Sequence, residues 1–218
     1  MSDADEKWQW VDEDPIERLL QARAAGHFDR AARLQRTEEW QAAAGSFRLA
    51  LEERPGHAGA LAGLGSCLLH LDAAEEALHC FERLLEAGGD RQPALLGMAV
   101  ALQKLARHEE AGRIYRELLR VNPDSADALA NLIALSVACQ DAESVSEYST
   151  RLLRIEPRSK AALQGLAMLA MRNGDRAGAV EYCTRLVEVD PDSFEGWSNL
   201  RYAQQKMRPP GQAARSIA

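Results

Sequence analysis

The chain has 218 residues, 46% of them hydrophobic and 27% charged, the make-up of an ordinary globular protein. Its longest apolar run, ALLGMAVAL from Ala94 to Leu102, is about half the roughly 20 residues that span a bilayer, and no basic start with an apolar stretch marks a signal peptide. The net charge of −7 sits almost wholly in residues 1–17, where seven acids face Lys7 alone, so the rest is near neutral and lacks the basic face that nucleic acid requires. These features predict a cytoplasmic protein with no membrane insertion and no nucleic-acid partner.

From the N-terminus, residues 1–14 form an acidic tail in which Trp8 and Trp10 stand within KWQWVDEDP. A local lid over the first folded segment and a hook for a partner are both open to it. Seven extended residues span about 25 Å, so both rings stay near this end of the fold. Asp14-Pro15-Ile16-Glu17 reads as a helix start, with an N-cap, proline at the first position and glutamate at the third. It predicts a short extra helix over 15–25, ending near Gly26.

Beyond this the sequence repeats. Pro55, Gly89, Pro123, Pro157 and Pro191 fall on one 34-residue ladder, most of them after a helical pattern such as YRELLRVNP. Leu61, Leu95, Leu129, Leu163 and Trp197 form one column, and Leu64, Met98, Leu132, Leu166 and Leu200 a second. Ala43, Ala77, Ala111, Val145 and Ala179 are small, with Phe47, Phe81 and Tyr115 four residues after the first three. Spacings of three and four place these side chains on one face of each helix, the small ones letting paired helices approach.

This pattern resembles the tetratricopeptide repeat family, most clearly in LAGLGSCLLHLDAAEEALHCFERLLEAG from Leu61 to Gly88. The resemblance implies an all-α fold, a right-handed superhelical solenoid of helix-turn-helix repeats over 24–57, 58–91, 92–125, 126–159 and 160–193. The first repeat matches weakly, with His27 and Arg30 at apolar positions. The fourth drifts, with Ser136, Val145 and Ser149 in place of the usual leucine, alanine and aromatic, so its packing is expected to be the loosest. Residues 194–207 begin a sixth repeat. Arg201 and Gln204, at positions a second helix would cover, predict a lone C-terminal capping helix, followed by a flexible tail over 208–218.

No phosphate-binding glycine loop, HExxH or GxSxG is present, and the expectation is a non-enzyme without cofactor or metal. Cys67, His70, His79 and Cys80 are zinc-type ligands by chemistry, but they divide between two helices, and adjacent His79 and Cys80 diverge by about 100°. Packed thiols and surface imidazoles are the expected outcome. Cys139 and Cys183 complete four cysteines without a CxxC, which points to reduced thiols.

In the resembled family the first helix of each pair lines a concave face. Carried over by position, this implies Ala62, Ser66 and Leu69, then Leu96, Val100, Gln103 and Lys104, then Asn131, Ala134 and Val137. Gln164, Met168, Met171 and Arg172 follow, with Ser198, Tyr202 and Gln205 from the cap. Leu69, Leu96, Val100, Val137, Met168, Met171 and Tyr202 make this an apolar, adaptable surface, with Gln103, Asn131 and Gln164 placed to bond a partner's backbone. Packing between neighbouring repeats competes for Leu96 and Val137. The family's carboxylate clamp is absent: Asn131 supplies its middle position, but Leu96 and Val100 stand before it and Ala161 and Gly165 after. The implied function is an adaptor for a peptide or helix of a protein partner. A chaperone for hydrophobic clients and a self-associating scaffold are the alternatives.

Overall fold

The computed structural model describes residues 14–207, and the Trp8/Trp10 tail and residues 208–218 lie outside them. Eleven helices fill the described residues: α1 (Pro15–Arg36), α2 (Trp40–Glu53), α3 (Ala58–His70), α4 (Ala74–Glu86), α5 (Arg91–Lys104), α6 (His108–Val121), α7 (Ala126–Ala138), α8 (Ala142–Ile155), α9 (Lys160–Asn173), α10 (Arg176–Val189) and α11 (Phe194–Met207). The chain divides into two compact units between Ala101 and Leu102, inside α5.

The turn inside each hairpin is one device used five times. Glu38, Asp72, Ala106, Gln140 and Gly174 each take a left-handed backbone with φ between 56° and 73°. The next residue's N–H then donates to a carbonyl in the last turn of the first helix, as in Ala73 to Leu68 and Asp141 to Ser136, both at 2.9 Å. Only Gly174 adopts that φ without a steric cost. The turns between hairpins are fastened by arginine. Arg83, Arg151 and Arg185 each donate to the carbonyl of the proline 28 residues earlier, Pro55, Pro123 and Pro157, at 2.8–3.0 Å.

In unit 1, Phe47, Leu61, Leu64, Phe81 and Leu84 are buried in one apolar cluster with Cys67 and Cys80. The extra helix and the first helix of repeat 1 form a single rod, α1, where the sequence led us to expect a break near Gly26. Asp14 Oδ1 accepts from the Ile16 N–H at 3.0 Å to start it, and Gly26 lies inside with open space around it. A lone helical glycine costs only about 1 kcal/mol, too little to end a helix that buries Ala24 and Ala31. The ring missing at His27 is supplied one residue on by Phe28, whose centroid lies 5.8 Å from that of Phe47.

Unit 2 follows the same plan. Tyr115, Leu129, Leu132, Leu152 and Leu163 are fully buried, and α11 seats Leu200 and Ala203 while Arg201 and Gln204 face outward. In the fourth repeat Ser136, Val145 and Ser149 are all buried, and the Ser149 hydroxyl has no hydrogen-bond partner.

Candidate functional site

The face of α7 bearing Ala130, Ile133, Ala134 and Val137 turns toward α9, which contributes Ala161, Gln164, Gly165, Ala167, Met168 and Met171. With Leu186 of α10 and Glu195 and Asn199 of α11, these enclose a groove of about 430 Å³ in unit 2. Its floor is alanine and glycine, its walls are Val137 and the two thioethers, and its polar groups stand at Gln164, Glu195 and Asn199. Small residues leave the space, and flexible methionines adapt to what fills it. Tyr202 of α11, half-exposed, lines a smaller pocket of about 200 Å³ that shares Met171.

Four of the ten residues expected to bind a partner, Val137, Gln164, Met168 and Met171, thus meet in one groove. The amides of two others are engaged internally. Gln103 Oε1 accepts from the buried Tyr115 hydroxyl at 3.3 Å, and Asn131 Nδ2 donates to the Asp127 carbonyl of its own helix at 2.9 Å. Neither amide stands wholly free for a partner's backbone. In unit 1, Leu69 is half-buried against the core cluster, and Leu96 and Val100 are half-buried on α5. Ser66 is held by Gln35, whose Nε2 donates to its hydroxyl at 3.4 Å. Glu195, Asn199 and the floor residues Ala130 and Ala167 were not anticipated, while Gly165 stood only at a clamp position. The small residues carry no polarity signal, although the repeat position of Glu195, 34 residues after Ala161, was readable.

Cys67 and Cys80 are buried, which pushes both thiols up. The His70 ring stacks on Trp40 with centroids 3.9 Å apart, and His79 Nδ1 lies 3.8 Å from Glu82. Among the described residues no group of three His, Cys, Asp or Glu has an arrangement that would hold a metal ion, and no helix is long and apolar enough to cross a membrane.

Comparison with known proteins places this geometry. Two tetratricopeptide repeat models match, one over residues 22–102 and the other over 161–193, and a coatomer epsilon subunit model matches residues 71–166. No curated protein sequence matches. Among solved structures the chain is similar to TTC0263, a thermophilic tetratricopeptide protein of Thermus thermophilus, with TM-score 0.66 and 19% identity over 84% of this chain and 99% of that one. Pseudomonas aeruginosa pilF gives TM-score 0.69 at 16% identity, over 86% and 91% of the two chains. YrrB, described as a tetratricopeptide protein with an unusual peptide-binding site, gives 0.62 at 17%, over 88% and 98%. At these identities the likeness is one of fold: all-α helix-turn-helix repeats.

Proposed function

Because the chain belongs to the tetratricopeptide repeat family, we propose that it is a non-enzymatic interaction module whose unit 2 groove binds an apolar segment, extended or helical, of a partner protein. The observation that carries this reading is the groove of about 430 Å³ with a small-residue floor between Val137, Met168 and Met171. Met168 and Met171 remain part-exposed although apolar, and such surface marks contact sites more often than it serves the free protein. Gln164 and Asn199 at the same groove supply hydrogen bonds to a partner backbone, and the peptide-binding site described for YrrB supports the same reading by analogy of fold alone.

Met168→Asp tests it. A carboxylate in the wall desolvates badly against an apolar ligand, so partner affinity should fall by about 2 kcal/mol, roughly thirtyfold. Affinity capture with wild-type and Met168→Asp baits, compared by mass spectrometry and confirmed by titration of the captured partner, gives the readout. Equal capture at equal helicity would remove the groove from the reading.

A further inference from the structure

Each position of unit 2 has a counterpart 68 residues earlier, two repeats back, and one cleft differs tellingly between the two. In unit 1 a cleft of about 390 Å³ runs between α2 and α4 over α3. Arg48 of α2 reaches Glu76 of α4 there, Nη2 to Oε2 at 3.0 Å. The counterpart in unit 2 lies between α6 and α8 over α7 and has the same volume, about 390 Å³. The arginine recurs as Arg116, but the counterpart of Glu76 is Ser144. Among the described residues no carboxylate makes an ion pair with Arg116, while Arg113, one turn earlier, acts by its charge on Glu110.

Other replacements in this cleft run the same way. The counterparts of Trp40, Leu68 and Cys80 are His108, Ser136 and Tyr148, all lining it. His108 Nδ1 is buried without a hydrogen-bond partner. Gly112 replaces Ala44, and a Cβ there would come within 3.2 Å of Arg116 Nη1, so the glycine makes room for the guanidinium lying back along α6. Two acids also line the cleft. Asp141 is engaged at the start of α8, where Oδ1 accepts from the Ser144 N–H at 3.2 Å and the Ser144 hydroxyl also bonds its carboxylate, and Glu109 stands exposed in the first turn of α6. Neither takes the place that Glu76 holds in unit 1.

We propose that this cleft is a second docking site, separate from the groove on the other face of α7, and that it takes an aspartate or glutamate side chain of a partner protein. The incoming carboxylate occupies the place of Glu76, receiving the Arg116 guanidinium with Arg113 at its side and the Tyr148 side chain lining the cleft beside it. The internal precedent fixes the chemistry: the same arginine position, on the same helix face, binds a carboxylate in unit 1.

The test uses the full chain, with an acetylated and amidated hexaglutamate peptide as probe and inorganic phosphate as the competing anion. NMR titration at low salt follows the Arg116 side chain and the Ser144 and Tyr148 amides. Hexaglutamate should shift these signals in the wild type. Its affinity should fall about tenfold in Arg116→Gln, from the loss of one charge-assisted hydrogen bond. Ser144→Glu should weaken binding equally, because it supplies the internal carboxylate that unit 1 already has. Both sites of change are on the surface, and circular dichroism confirms the fold. Unchanged peptide affinity in the two variants overturns the proposal, as does silence at Arg116 with millimolar peptide. Shifts produced by phosphate and not by hexaglutamate would also overturn it, assigning the cleft to a small anion.

Discussion

Phe47 and Ser149 occupy the same rung three repeats apart, and they close the same gap by opposite means. Phe47, 1% exposed, presses its ring onto α3 at Gly63, where a Cβ would sit 2.2 Å from the ring. Phe81 does the same at Gly97, at 2.4 Å. In unit 2 the rung holds Ser149, and at Gly165, the counterpart of Gly63, a Cβ would meet the Ser149 hydroxyl at 2.8 Å. Unit 1 fills the space between hairpins with aromatic volume seated on glycine. The later hairpins of unit 2 bring backbone to backbone over a small residue, and the same Gly165 forms part of the groove floor. Unit 1 is organised around packing, as is the first hairpin of unit 2 with the buried Tyr115, and the later hairpins of unit 2 around a recess.

The largest effect that would break this contrast belongs to Phe47→Ala. Truncating a buried phenylalanine costs about 3–5 kcal/mol, and the glycine beneath offers no side chain to relax into the hole. Urea unfolding followed by a unit 1 probe such as Trp40 should register that loss. A cost no larger than about 1 kcal/mol would mean that the rings do not hold unit 1 together. Ser149→Ala should go the other way. The hydroxyl is fully buried with no partner, so its removal should leave stability equal or raise it by up to about 1 kcal/mol, with the near-identical shape of alanine retained. A clear loss on the same urea assay would show that Ser149 makes a bond that matters.

The sequence made the hairpins legible because a 34-residue period repeats every determinant together: the helix-ending proline, the small residue and the leucines. It failed at Gly26 because one exposed glycine weighs little against a helix that buries Ala24 and Ala31. The groove was half readable. Val137, Gln164, Met168 and Met171 follow from repeat position, whereas the internal partners of Gln103 and Asn131 do not, because spacing does not say which way an amide turns. Gln103 answers Tyr115, and Asn131 answers its own helix. The orphaned Arg116 was hidden for a related reason. Its meaning lies in the absence of a carboxylate two repeats out of register, visible only once Arg48 and Glu76 are seen to touch.

The smallest effect concerns how the second helices begin, and it separates unit 1 from the last two hairpins of unit 2, since α6 starts uncapped at Arg107. In unit 1, α2 and α4 start at Glu39 and Ala73 with no side-chain cap. In unit 2, α8 and α10 start at Asp141 and Asp175, whose carboxylates accept the Ser144 and Gly178 N–H groups at 3.2 and 3.0 Å. The hydrogen bonds from Ser144 hold the Asp141 carboxyl below its usual range, and the Arg107 guanidinium does the same for Glu110. A folded value below the unfolded one contributes stability that is complete above the unfolded carboxyl range and is lost as pH falls through the folded value. Acid should therefore fray the start of α8 while leaving the uncapped start of α4 indifferent. Carbon-detected titration of the Asp141 carboxyl, with amide exchange at Ser144 and Ala77 measured across the same pH range, checks both halves. Asp141→Asn keeps a capping oxygen and removes the charge, so it should flatten the Ser144 profile without uncapping the helix. An ordinary carboxyl midpoint, or equal acid sensitivity at Ser144 and Ala77, would mean that the cap does not distinguish the start of α8 from that of α4.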